Sequence, residues 1–517
     1  MSTTTNVSPR KAGIVAMALA SVLVTGCQSA VDQADDQAAA PSAADCQQGG
    51  TLTIAATTAP LLNNVLAQNA TNLGWVRGVF EPLVNVIDAD YADPQPALAT
   101  DWEYADDDRS VVLTLREGVT FHSGRAFTAD DVVWTFQKAL EPATVSDVKA
   151  IVSGWTVEAT GDLEVTITSE TPLSPVLAST LALTPIVDSE TWDDLASGAQ
   201  IIGTGPFQVE SYTPGADLTL VRNDAYWGEV PPLDEIVVTP IADSTAQVSA
   251  VRTGRVQLAF GLTIQDATTV VADPQYELVD TVFGAYPLVL DPTGPLADVE
   301  VRKAIDMAID RDRINEQVFA GRGTTTGLYW SSTAEDYPKD LENATEYDPE
   351  TARQMIEDAG ATGAEVPITI IISPVLQAEY EIIANNLTEI GLTPSVNALA
   401  PADYQQRLGA GQGGTYLSLR GINGGASFAV QTNADLRLAD PHRTFSSPEY
   451  TDLVTDVVQS DAEDSPEAVH ALTEYMQDQE FVLPLVTATG AALASTDVLN
   501  AEVAMGGLLS GSTCLAQ

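Results

Sequence analysis

The sequence predicts an α/β protein built as at least two lobes with mixed sheets. Strand and helix patterns alternate along nearly the whole chain, the pattern expected when helices cover the faces of partly parallel sheets. The chain has 517 residues, well past the roughly 250–300 at which a single core stops growing. No internal repeat that would indicate a solenoid is present.

The elements follow in order. Gly49-Gly50 turns into an alternating strand at Thr51 to Ala55, and Asp101 to Glu103 and Val111 to Arg116 pair as a hairpin around Asp106-Asp107-Asp108. Thr156 to Ile167 reads as two short strands around Gly161-Asp162, with further strands at Leu218 to Arg222 and Ile236 to Pro240. Ser244 to Thr253 is a helix before a strand at Val256 to Phe260. Val301 to Phe319 places Val301, Ala304, Ile305, Ala308, Ile309 and Ile314 at helical spacing, which predicts one helix. Tyr347-Asp348-Pro349-Glu350 opens another that ends at Gly360. Pro367 to Ile372 is a buried strand, and Ala378 to Ile390 a helix closed by Gly391.

The N-terminal segment has the features of an export signal. Arg10 and Lys11 precede an apolar run from Ala12 to Val24, too short to span a bilayer as a mature helix. Val24-Thr25-Gly26-Cys27 resembles a lipobox, so residues 1–26 are expected to be removed and Cys27 lipidated. Residues 27–45, rich in Ala, Ser, Asp and Gln, carry almost no large apolar residue and are expected to be a flexible tether. Cys46 and Cys514 remain, one at each border of the body. They are expected to form a disulfide in the oxidising exterior, with two free thiols as the alternative.

The net charge of −50, from 72 acidic against 22 basic residues, repels phosphate backbones and excludes nucleic acid as a partner. Such acidity fits a salty habitat as well as simple solubility.

The stretch Leu115 to Phe136 holds His122, one of three histidines, among Arg116, Arg125, Asp130 and Asp131. Each polar residue has a structural use. Glu117-Gly118 and Gly124 make turns, and Thr128 with Asp131 forms a capping box while Val132, Val133 and Phe136 face a core. His122 has no second histidine or cysteine nearby, so neither a metal site nor a nucleophile is indicated.

Within and around that stretch, an ordered set of motifs resembles the family 5 extracellular solute-binding proteins, the dipeptide, oligopeptide and nickel receptors of ABC importers. The set comprises Phe80-Glu81-Pro82-Leu83-Val84, Pro96 to Ala99 with Asp101-Trp102, Leu115 to Val119 with Phe121-His122, and Phe127 to Val132. It continues with Gly203 to Phe207, Asn223 to Gly228, Pro295 to Ile305 with Ala308 to Arg311, and Tyr347 to Pro349 with Ala352-Arg353. The likeness spans residues 49 to 490.

The resemblance implies a type II periplasmic-binding-protein-like fold whose lobes close on a ligand. Lobe I would comprise residues 46–285, with an inserted subdomain at about 81–200, and be completed by 481–517. Lobe II would be 286–480, with hinge strands near Ala285 to Leu288 and Phe481 to Pro484. The partners implied are an oligopeptide or similar small solute and the permease and ATPase subunits of an ABC importer. The membrane would be reached only through the lipid anchor. A monomer is expected, without cofactor or metal, on the outer face of a cell membrane of Gram-positive type.

Peptide-binding relatives hold the ligand's α-amine with a carboxylate in a Trp- and Asp-rich stretch that aligns near residues 415–435. Here that stretch reads TYLSLRGINGGASFAVQTNAD. The Trp and the early Asp are missing, and Arg420 and Asn423 occupy the region. Arg420, Asn423, Tyr416 and, from the second lobe, Trp330 are the candidate ligand contacts, each weighed against a plain surface or core role.

Other classes find little support. Ser146-Asp147-Val148-Lys149 matches S-x-x-K and Arg252-Thr253-Gly254 faintly matches K-T-G, but no S-D-N lies between them. No P-loop, H-E-x-x-H or G-x-S-x-G motif is present. A nickel or metal-chelate receptor and a ligand-sensing lipoprotein are the alternatives; His122, His442 and His470 are far apart in sequence.

Overall fold

The computed structural model describes residues 46–67, 75–86, 93–421, 424–438, 440–501 and 512–517. The export signal, Cys27, the tether and Asn423 lie outside the described residues. The described chain falls within one compact unit, Ser42–Gln517.

Its spine is a sheet ordered, by strand, Thr393–Leu399, Glu365–Ile371, Thr415–Leu417, Tyr276–Val289, Val482–Ser495, Leu258–Ala259, Thr51–Ala56, Glu235–Pro240, Leu218–Arg222 and Phe207–Tyr212. The two 14-residue strands in the middle, Tyr276–Val289 and Val482–Ser495, pair antiparallel from end to end. One end of the pair meets Leu258–Ala259, and the other meets Thr415–Leu417 and Arg420–Gly421. The sheet therefore passes from one lobe to the other through these two strands. Their register is interrupted between Asp280 and Phe283 and again between Tyr286 and Pro287.

Separate apolar cores stand on either side. Leu52, Ile54, Phe80, Leu220 and Ile236 lie in one, with Ala492 and Ala494 from the returning strand. Ile305, Ile314, Ile368, Ile383 and Leu485 lie in another, and Tyr416, Tyr450, Val469 and Phe481 in a third. A subdomain within the first lobe has its own antiparallel sheet, ordered Ala99–Tyr104, Ser110–Leu115, Glu164–Ser169 and Trp155–Gly161, and its own core of Leu113, Phe121, Phe136, Ile167 and Leu181.

Local chemistry accounts for most element ends. The capping box at Thr128 and Asp131 is formed, opening the helix Ala129–Leu140. Asp348 caps Pro349–Asp358 by accepting from Thr351 N–H. The single helix predicted over Val301 to Phe319 is instead two, Val299–Ala308 and Arg311–Val318. The break falls at Ile309-Asp310, because the Asp310 side chain accepts from Arg313 N–H and starts a new helix as its N-cap. Periodicity carried through the break since both halves bury the same face.

Cys46 and Cys514 are disulfide-bonded, with Cα atoms 5.6 Å apart. The bridge joins the two ends of the folded body beside the short pair Val498–Leu499 and Cys514–Leu515. Among the described residues, no helix is long and apolar enough to cross a membrane.

Candidate functional site

Strand directions define a cleft. In the first lobe Thr51–Ala56 runs parallel to Glu235–Pro240 and Leu258–Ala259. Leu258–Ala259 is antiparallel to Val482–Ser495, which travels from the second lobe to the first, so all three strands point their carboxyl ends at the second lobe. There, Thr415–Leu417 is antiparallel to Tyr276–Val289 and parallel to Glu365–Ile371, itself parallel to Thr393–Leu399. Those carboxyl ends point back at the first lobe. Ligands of open α/β sheets bind outside the carboxyl ends of strands. Here two such edges face each other across the paired strands.

The lobes also touch directly. A Cβ built on Gly424 would lie 2.4 Å from Ser179 Oγ, on the subdomain helix Ser174–Leu183. Phe428, from the second-lobe helix Ala426–Thr432, is 4 % exposed and belongs to the subdomain's apolar core. Arg109 donates to Gln459 Oε1 at 3.3 Å, and Gln265 Nε2 to the carbonyl of Gln317 at 3.0 Å. The two lobes are in contact at these points.

On the second-lobe lip, Arg420 follows the strand Thr415–Leu417. Its Nε and Nη2 reach Asp435 at 2.7 and 2.5 Å. Asp435 is 0 % exposed while the Arg420 side chain keeps 18 %. Asp435 also accepts from Tyr416 Oη at 2.6 Å and from Tyr329 Oη and Ser418 Oγ at 3.2 Å. Burial alone would raise the Asp435 carboxyl; the Arg420 charge and these donors outweigh it and hold it below the usual range. Burial raises Tyr416 and Tyr329, with the Asp435 charge adding to it, so both remain neutral phenols.

Tyr416 is wholly buried and donates into this network. Trp330 is buried in the second-lobe core, its Nε1 donating to Thr473 Oγ1 at 2.7 Å. The polar atoms of both are thus taken up within the protein. Of the predicted contacts Arg420 alone is described with exposed surface at the lip. Sequence reasoning missed Asp435, although it closes the stretch that drew attention to Arg420; fifteen residues of separation gave no local signal. It also missed the apolar lip formed by Ile372 and Leu419, exposed 65 % and 53 % at the ends of neighbouring parallel strands.

His122 is a structural pin. Its Nε2–H donates to the carbonyl of Gly205 at 2.9 Å and Nδ1 accepts from Gly203 N–H at 3.3 Å. Burial lowers its pKa, which the Gly205 contact only partly offsets, so the ring is neutral. Arg125 bridges Asp131 and Asp188. A second knot lies at Glu81, whose buried carboxylate accepts from Tyr226 Oη at 2.6 Å, Trp227 Nε1 at 2.7 Å and Thr204 Oγ1 at 2.9 Å. Three separated motifs meet there. Burial, opposed by these donors, pushes the Glu81 pKa up to about 7. In the S-x-x-K stretch, Lys149 Nζ donates to the backbone carbonyls of Glu141 and Thr144. Among the described residues no group of three or more His, Cys, Asp or Glu is placed to hold a metal ion.

Two lobes of mixed sheet, joined by paired strands and facing each other across a cleft, define a type II periplasmic-binding-protein-like fold. Residues 93–433 match the model of the bacterial extracellular solute-binding proteins, family 5, and the chain belongs to that family. Among curated relatives, Heme-binding protein A of Haemophilus influenzae is 29 % identical over 356 residues, covering 62 % of this chain and 64 % of that protein. Probable di/tripeptide-binding protein 5 of Pseudomonas aeruginosa is 25 % identical, covering 79 % and 84 %. Among solved structures, the Helicobacter pylori periplasmic binding protein DppA in complex with the peptide STSA superposes with a TM-score of 0.77 at 20 % identity, covering 91 % of this chain and 99 % of that one. NikA from Brucella suis in complex with Fe(III)-EDTA gives 0.78 at 20 % identity, covering 90 % and 100 %. At these identities the structural likeness speaks for the fold.

Proposed function

We propose that the protein is the extracytoplasmic substrate-binding component of an ABC importer, capturing an oligopeptide or similar small solute by clamp closure and delivering it to the permease and its ATPase. The observation that carries this reading is the pair of opposed strand-end edges, bridged by Tyr276–Val289 and Val482–Ser495. Lobe I would comprise residues 46 to about 280 with the returning segment from about 491, and lobe II the residues between. Dihedral changes near Asp280 to Phe283, where the ladder is already interrupted, would allow the lobes to swing. Ligand affinity for the closed form biases the open–closed equilibrium. Lipidation at Cys27 would tether the body to the outer face of the membrane, and no bond of the solute would be altered.

The test is to denature the purified protein and weigh what is released. The reading expects a peptide or comparable solute near one equivalent. A metal chelate would favour the nickel-receptor alternative, and a product of turnover would refute a pure receptor.

A further inference from the structure

We infer that Arg420 anchors the ligand through a carboxylate, with Asp435 as its positioning residue, so that the clamp selects solutes by an anionic end rather than by an α-amine. This rests on the receptor reading above. Arg420 stands at the carboxyl end of a parallel strand, its Cα paired with Ala285 of the long strand, on the edge that faces the opposite lobe. Beyond it, Gly424 meets Ser179 of that lobe. Arg420 thus lies between the crossing strands and the point of closure.

The guanidinium is asymmetric in its use. Nε and Nη2 are taken by the two oxygens of Asp435, whereas Nη1 takes no part in that pair, and the side chain keeps some exposure. A planar donor fork held rigidly along one edge loses little freedom on binding a second anion along another. Asp435 is itself immobilised by Tyr416, Tyr329 and Ser418, so the orientation of Arg420 is set before ligand arrives. Asp435 is wholly buried behind Arg420. An ammonium approaching this lip would meet a cation first. Leu419, exposed against Gly284, offers apolar surface beside the anchor.

The experiment is a retention assay on the full mature protein. Three equimolar tripeptide pools are offered in competition: free termini, C-terminal amides, and N-acetylated forms. Retained species are identified by mass spectrometry. The wild type is expected to retain free-carboxyl peptides at least tenfold over their amides and to tolerate N-acetylation. Arg420→Met alone leaves Asp435 buried without its counter-ion, so the double variant R420M/D435N carries the comparison, its amide oxygen still accepting from the tyrosines. It should fold and lose the preference. Equal retention of amides, loss of binding on N-acetylation alone, or a preference that survives in the double variant would overturn the anchor while leaving the peptide-receptor reading intact. Retention of nothing from any pool would overturn the anchor together with the small-peptide form of the receptor reading.

Discussion

Asp435, with no exposed surface, receives two nitrogens of Arg420 and the hydroxyls of Tyr416, Tyr329 and Ser418. This buried pair ties the lip of the cleft to the second-lobe core. Removing one partner of such a pair leaves an uncompensated charge, at a cost of about 3–5 kcal/mol. Asp435→Ala is expected to lower unfolding stability by roughly that amount in denaturant melts. R420M/D435N should recover most of it. Equal stability of Asp435→Ala and wild type would show that the network contributes nothing.

Closure should depend on Phe428. Its ring lies among the subdomain's buried residues while its helix belongs to the second lobe, so that burial is present only with the lobes together. Fully burying a Phe side chain is worth about 1.5–3 kcal/mol. Phe428→Ala should therefore weaken ligand affinity by roughly 10- to 100-fold, read by calorimetry. Unchanged affinity would place the contact outside the closing motion.

The carboxyl of Glu379 is wholly buried, and neither oxygen has a hydrogen-bond partner among the described residues. Burial raises its pKa well above the ordinary value. A carboxyl whose folded pKa is raised holds its proton more tightly folded than unfolded. Its contribution is fully present below the unfolded value near 4.5 and is lost as pH rises towards the folded one. Glu379→Gln is expected to raise the melting temperature more at pH 8 than at pH 5. A larger gain at pH 5 would reverse the assigned sign.

Glu81 follows the same sign with a defined window. Its pKa moves from 4.5 to about 7 on folding, so its contribution declines as pH rises between those values. Glu81→Gln removes that titration. The variant's melting temperature should vary less with pH than the wild type's between about pH 4.5 and 7, and parallel curves would contradict the shift.

The bridge between Cys46 and Cys514 lies at the amino-terminal side of the strand Thr51–Ala56, opposite the end that faces the cleft. Closing a loop with a sequence separation of 468 has a chain-entropy ceiling of about 6 kcal/mol. Reduction should lower the denaturant midpoint while leaving ligand affinity in native buffer unchanged. Parallel loss of affinity would tie the bridge to the site.

The architecture was largely legible because the family's motifs are structural. Glu81, Thr204, Tyr226 and Trp227 come from three separated motifs that meet as one hydrogen-bonded knot, and the Thr128–Asp131 box was readable from its spacing alone. The Asp310 cap was not, since an N-cap inside a continuous apolar stripe does not disturb the helical period. Nothing in the composition of strands Tyr276–Val289 and Val482–Ser495 marks where one lobe gives way to the other, since both serve the two lobes. The site was least legible. Tyr416 and Trp330 looked available as aromatics near a loop, but only three-dimensional packing shows that Asp435 and Thr473 take up their polar atoms.

The central claim is that two lobes close around a solute and release it unchanged. Hydrogen exchange with and without the ligand recovered from the native protein tests it most directly. Amides of Ala426–Thr432 and Ser174–Leu183, on opposite sides of the cleft, should gain protection together on binding. Those of the subdomain strands Ser110–Leu115 and Glu164–Ser169 should not change. Identical protection of both helices in the two states, with the ligand bound, would contradict a closing clamp.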